Sequence, residues 1–193
     1  GGAKSCTGRG LGDDEGMRFY LVFLFLAVAL AAESAGELRT VASVDLDRYM
    51  GRWYEIARLP NRFQDDCAGE VTATYAKQPD GKLSVANACR KADGSMMSAT
   101  GAARKVGDAK LKVRFAPAWL TWLPMVWGDY WVIDLADDYS WAVVGEPGRE
   151  YFWILSRAPE MGEGVLQSIV ERAEKQGYDL AAMTRTKQVG AAN

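Results

Sequence analysis

The chain contains no histidine. The commonest general base near neutral pH and the commonest protein ligand for zinc, copper and iron are therefore missing, which excludes hydrolase triads and histidine-ligated metal sites. No cofactor and no metal is expected. A charge excess of one sign is missing too: 23 Lys and Arg stand against 25 Asp and Glu, a formal net charge of -2, with no basic block to attract nucleic acid. Nor is there an apolar run of the roughly 20 residues that a helix needs to cross a bilayer. Cysteine is scarce, with three in 193 residues.

What is present begins with an address. Met17 and Arg18 precede an apolar run over 19–31, and the small residues Ala32, Ser34, Ala35 and Gly36 follow it. This is the pattern of a secretory signal, with Ala29-Leu30-Ala31 as an A-x-A cleavage site. The expected organisation is a misassigned start over 1–16, a signal peptide over 17–31, a linker over 32–43, one folded domain over 44–188 and a tail over 189–193. Cys6 lies before the cleavage site, so the mature chain keeps Cys67 and Cys89, and an oxidising compartment favours a disulfide between them. The pairing has a geometric obstacle. A hairpin turning at Pro79-Asp80 leaves Cys67 three or four residues beyond direct register with Cys89, so the segment before Gly69 must fold back. No Cys stands just after the apolar run, where lipid attachment would need one, so a soluble mature protein is expected.

From Gly51 onward, short strands alternate with turn signals. Strands are predicted over 52–59, 69–77, 82–90, 96–105, 110–115, 129–135, 140–145 and 151–157. Polar or glycine-bearing turns such as Pro79-Asp80, Asp93-Gly94, Asp137-Asp138 and Pro147-Gly148 separate them. Eight strands in this order predict an all-β fold, an antiparallel up-and-down barrel of a size that either fills with side chains or holds one small ligand. The period then changes. Val165, Leu166, Ile169, Val170 and Ala173 fall at helical spacing and Gly177 supplies a stop, which predicts one amphipathic helix packed on the outside of the barrel. A last extended piece, 183–188, is expected to pair with the first strand. The segment 116–127 carries Trp119, Trp122 and Trp127 among apolar residues and prolines, too apolar for a solvated loop. It is expected to line a cavity mouth, form a subunit contact as in a homodimer, or rest on a membrane surface as a peripheral contact.

Three motifs together resemble one family. Residues 45–56, with Gly51-x-Trp53, resemble the lipocalin opening, in which a helical turn leads into the first strand. Gly128-Asp129-Tyr130 resembles the second lipocalin motif, and Arg157 at the end of 151–157 the third. The resemblance covers roughly 44–188 and is strongest to the bacterial lipocalins of the outer-membrane lipoprotein Blc type, with apolipoprotein D as an animal relative. It implies lipid binding, storage or transport, of a fatty acid or lysophospholipid, in the envelope of a Gram-negative bacterium: an exported protein of the periplasm, associated with the outer membrane in some relatives. It also implies that Trp53 closes the narrow end of the barrel with Arg157 across its ring, so that Gly51, Trp53, Asp129, Tyr130 and Arg157 are structural. Counting back from Arg157 by twos puts Leu155 and Trp153 on the inner face, with Trp153 nearer the mouth. The resemblance brings Trp127 to the cavity, and the count from Trp53 puts Glu55 and Ala57 inside. Trp153, Trp127, Leu155, Glu55 and Ala57 are therefore the expected ligand contacts. Two other functions are open on these residues: an envelope or subunit interaction protein using the Trp119–Trp127 loop, and an enzyme on the same barrel using Glu55 as a buried acid or base. The expectation is a protein that is not an enzyme.

Overall fold

The computed structural model describes residues 1–2, 36–80, 82–116 and 126–189. The expected signal peptide, the tail beyond Val189 and most of the tryptophan-rich loop lie outside them. The fold described belongs to the unit Gly36–Asn193.

A four-residue helix, α1 (Leu46–Tyr49), starts where the Asp45 carboxylate accepts from the backbone N–H groups of Asp47 and Arg48. It stops because Met50 is extended and Gly51 has φ +93, a left-handed turn that an L side chain resists. That turn feeds β1 (Gly51–Arg58), followed by β2 (Cys67–Lys77), β3 (Leu83–Lys91), β4 (Met96–Lys105), β5 (Lys110–Arg114), β6 (Gly128–Leu135), β7 (Trp141–Gly145) and β8 (Phe152–Ser156). Each strand pairs antiparallel with the next. β1 also pairs with β8, which closes an eight-stranded barrel. Observed strand ends fall within about two residues of those expected from the turns.

Alternation divides the apolar residues between two clusters. Tyr49, Trp53, Tyr75, Val85, Tyr130, Val132, Val144 and Leu155 fill the inside. Ile56, Ile133, Val143, Phe152 and Ile154 face outward and receive α2 (Glu163–Glu174) through Leu166, Ile169 and Ala173. Val165, expected on the apolar stripe, is instead 40% exposed: buried positions at i, i+3 and i+7 leave it on the helix flank. An ion pair from Arg172 to Asp134 (2.7 Å) joins the helix to β6.

Beyond α2 the chain returns to the barrel. β9 (Thr184–Arg185) pairs antiparallel with the second half of β1, as expected for this segment. It does more than pair. β1 and β2 are in register only from Gly51↔Tyr75 to Tyr54↔Thr72. Above that, Lys187 accepts from the Glu70 N–H, and the Gln188 amide donates to the carbonyls of both Glu55 and Val71. Residues 184–188 thus complete the wall between β1 and β2. Gly69 permits the approach, since a Cβ there would stand 2.8 Å from the Lys187 carbonyl.

Cys67 and Cys89 are bonded, with Cα atoms 5.6 Å apart. Two register shifts in β2, one on each side of Gly69, remove the obstacle. Without them, continuing the Thr72↔Ala88 register would set Cys67 four residues past Cys89. With them Cys67 faces Lys91, a diagonal neighbour of Cys89 on the same face. Glu70, at φ 51, is the residue that takes up the second shift.

Candidate functional site

The closed end comes first because it locates the open one. Trp53 is completely buried and its ring N–H donates to the Tyr49 carbonyl at 2.9 Å. The Arg157 guanidinium lies 3.7 Å from the ring centroid and donates to the carbonyls of Arg48 and Arg52. Gly51 belongs to the same arrangement, since its Cβ position lies 3.4 Å from Arg157 Nη1. Just above, the phenols of Tyr49, Tyr75 and Tyr130 meet, with Tyr49–Tyr130 at 2.7 Å and Tyr75 donating to Tyr130 at 2.9 Å. Burial drives all three phenol pKa values up, that of Tyr75 to about 12. Asp129 points the other way and pairs with Lys112 at 3.2 Å.

Toward the other end the inner face opens. Ala73, Asn87 and Ala99 stand side by side across β2, β3 and β4, on the face of Tyr75 and Val85. Low on this face Tyr75 (4%), Val85 (2%) and Ala103 (4%) are closed off, whereas Asn87 and Ala99 above them are exposed. The barrel is filled below and reached by solvent above.

Across from this open face runs a ladder of rings. Phe63, 62% exposed at the rim, lies 5.7 Å from Tyr151, which stacks on Trp153 at 5.9 Å with planes 9° apart. Trp153 packs against the inner cluster, as the count from Arg157 requires, and Leu155 is buried below it. The Trp153 ring N–H is already used, donating to Gln64 Oε1 at 2.8 Å. Gln64 also accepts from Asn61 and donates to Glu55 Oε2 at 2.6 Å.

Glu55 faces in, but it is a junction. Its second oxygen accepts from Arg58 Nη1 at 3.0 Å and from the Thr186 hydroxyl. One carboxylate therefore ties the rim loop, β1 and the 184–188 segment together, and burying its charge is tolerable because both oxygens have donors. With three donors already on it and only 2% of the residue exposed, it is poorly placed to meet a substrate, which counts against the acid or base role.

Two expected contacts sit elsewhere. Ala57 belongs to the outer cluster, not the inner face. β1 pairs Glu55 with Leu155 but Ala57 with Ile154, so Ile56 is an extra residue and the alternation inverts past it. Arg58, opposite Trp153, takes the inward place that the simple count assigns to Ala57. This residue was missed from sequence. The signal for it is Glu55-x-x-Arg58 itself, since an acid and a base three apart in an unbroken strand face opposite ways. Trp127 lies between guanidinium groups, 4.3 Å from that of Arg104 and 5.2 Å from that of Arg114. Both arginines alternate with inward Ala103 and Val113, so the ring is against the outside of β4 and β5 and not beside Trp153. The neighbouring Trp119 and Trp122 lie outside the described residues.

A closed antiparallel barrel, filled at one end and open at the other, with an external helix, is the architecture of a ligand-binding barrel. The chain belongs to the lipocalin family: the model of the lipocalin-like domain matches residues 44–188. It is 41% identical over 157 residues to temperature-induced lipocalin-1 of Arabidopsis thaliana, covering 79% of this chain and 83% of that one. It is 37% identical over 172 residues to the outer membrane lipoprotein Blc of Citrobacter freundii, covering 86% and 93%. Among solved structures, insecticyanin from the tobacco hornworm Manduca sexta superposes with a TM-score of 0.62 at 21% identity, covering 81% and 87%, a likeness of fold alone. Membership places the chain among proteins that bind and carry small hydrophobic molecules.

Proposed function

We propose that the protein binds a fatty acid or lysophospholipid in the upper half of the barrel and stores or transports it in the cell envelope. The observation that carries this reading is the contrast along one inner face, where Tyr75 and Val85 are sealed and Asn87 and Ala99 are exposed. A chain entering past Phe63 slides along Tyr151 onto Trp153, and each buried CH₂ contributes about 0.8 kcal/mol. Trp153 contributes a ring face and not a donor, because Gln64 holds its N–H. Binding needs no bond to be made or broken, and no catalytic residue is assigned. The envelope is supported by the similarity to an outer membrane lipoprotein and by the secretory pattern over 17–31.

Native mass spectrometry of the protein taken from its own compartment tests the reading. A co-purifying acyl lipid is the expected result. A barrel that carries nothing, and binds no added fatty acid or lysophospholipid, refutes it.

A further inference from the structure

The rim loop between β1 and β2 is built around Gln64. Its backbone N–H donates to the Asn61 carbonyl at 3.1 Å and its own carbonyl accepts from the Cys67 N–H at 3.0 Å, so the turn is held at its far end by the Cys67–Cys89 bond. The Gln64 side chain is the centre of a network whose ends are fixed by chemistry. At one end the Glu55 carboxylate accepts only, and it takes Gln64 Nε2 at 2.6 Å while Arg58 and Thr186 hold its other oxygen. At another the Phe63 backbone N–H donates only, to Asn61 Oδ1 at 3.2 Å, which turns Asn61 Nδ2 toward Gln64 Oε1 at 2.9 Å. The third end is the Trp153 indole N–H, again a donor, 2.8 Å from the same Oε1. One orientation of the Gln64 amide satisfies all three. Flipping it would set its NH₂ against two donors and its oxygen against a carboxylate.

Trp153 has one polar atom, and it is committed to Gln64. The ring plane is thereby held, with Tyr151 stacked on it 9° from parallel, and the carbon face of the indole packs toward the inner cluster. The neighbouring charge of Arg58 is met by Glu55 at 3.0 Å. We infer that Gln64 sets the selectivity of this aromatic wall: by holding the Trp153 N–H it makes the wall grip an acyl tail by contact and leaves the head group unread, so that single-chain amphiphiles with anionic and neutral heads are taken alike. The inference rests on the lipid-binding reading above. Gln64 is a positioning residue in this account. A ring already fixed needs no ordering when a tail arrives, so the gain in affinity is the same for every head group.

Calorimetric titration of the full chain with laurate and dodecanol, below their aggregation limits, tests this. The two are expected to bind the parent within about five-fold of each other, whereas an N–H bond to a carboxylate head would favour laurate by about ten-fold or more. Trp153→Phe keeps a ring but removes the N–H, and it should weaken both ligands by the same factor, to within about two-fold. Gln64→Leu removes both the acceptor and the donor, so both ligands should weaken together by about three-fold to ten-fold. Nitrogen-15 labelling adds a readout that a loss of stability alone does not mimic. Of the signals from the seven indole N–H groups, the one absent from Trp153→Phe belongs to Trp153, and its exchange with water in the folded protein should be about ten-fold faster or more in Gln64→Leu. A parent that prefers either ligand by more than about five-fold, which needs no variant to fold, overturns the selectivity while the cavity stands. So does a Trp153→Phe protein that loses laurate but not dodecanol, or a folded Gln64→Leu protein with the parent's affinities and indole exchange. Failure of both acid and alcohol to bind overturns the lipid-binding reading instead.

Discussion

Replacing Trp53 with alanine should unseat the closed end without touching the open one. The ring is fully buried, 4.8 Å from that of Tyr49 and 3.7 Å from the Arg157 guanidinium. Truncating a buried aromatic costs about 3–5 kcal/mol, against a total stability of about 5–15 kcal/mol for a typical domain. Part of the loss is the ring–guanidinium contact, about 0.5–2 kcal/mol. Arg157 also bonds two carbonyls, so Arg157→Ala alone overstates that contact. A double-mutant cycle of Trp53→Ala with Arg157→Ala isolates it, with an expected coupling of about 0.5–2 kcal/mol. Trp53→Phe keeps most of the ring but strips the Tyr49 carbonyl of its indole donor, an expected loss of about 1–3 kcal/mol. Urea unfolding followed by far-ultraviolet circular dichroism measures the parent and all four variants. The reasoning fails if Trp53→Ala lies within about 1 kcal/mol of the parent, or if the cycle shows no coupling, because either result means the ring is not the keystone of that end.

Trp153→Ala should leave the barrel folded and weaken fatty-acid binding five-fold to a hundred-fold, about 1–3 kcal/mol, whereas Trp127→Ala should leave affinity unchanged; a fluorescent fatty acid titration separates the two. Replacing both Cys67 and Cys89 with serine should cost about 3 kcal/mol, the chain-entropy value for a loop of this length, and free-thiol titration of the unreduced, denatured parent should find both sulfurs blocked. Tyr75 and Tyr178, both raised by burial to about 12, stay protonated where the unfolded chain has begun to lose its phenol protons. The unfolded state then binds fewer protons than the folded one, so stability should hold below about pH 10 and fall as pH rises toward about 12, with phenolate absorbance at 295 nm appearing as the barrel opens.

Much of this architecture was legible in the residues. Turn signals such as Asp93-Gly94 and Asp137-Asp138 act locally, and the Asp93 and Asp138 carboxylates do accept from the N–H groups of Ser95 and Ser140. The closed end was legible because three motifs converge on it. The upper site was not, for one physical reason: period two holds only in an unbroken strand. A single extra residue, Ile56, put Arg58 inside and Ala57 outside, and two more shifts in β2 brought Cys67 to Cys89. Trp127 was misplaced for a related reason, since a motif fixes its position along the chain but not the side of the wall to which its ring turns. Glu55 faces the interior as expected, but which groups surround it depended on a segment 131 residues away.

That separation has a consequence for how the barrel is made. Residues 184–188 form part of the upper wall, so the two sides of one seam leave the ribosome far apart in time. At about 5–20 residues per second the interval is roughly 7–26 s. Closing so long a loop is also an intrinsically slow event in folding. Throughout that interval the second half of β1 presents an unpaired edge, which is the part of a sheet most prone to recruit a foreign strand. The β1–β2 seam is thus where a half-made copy of this protein is exposed to its neighbours, and where an exchange of strands between two chains would begin.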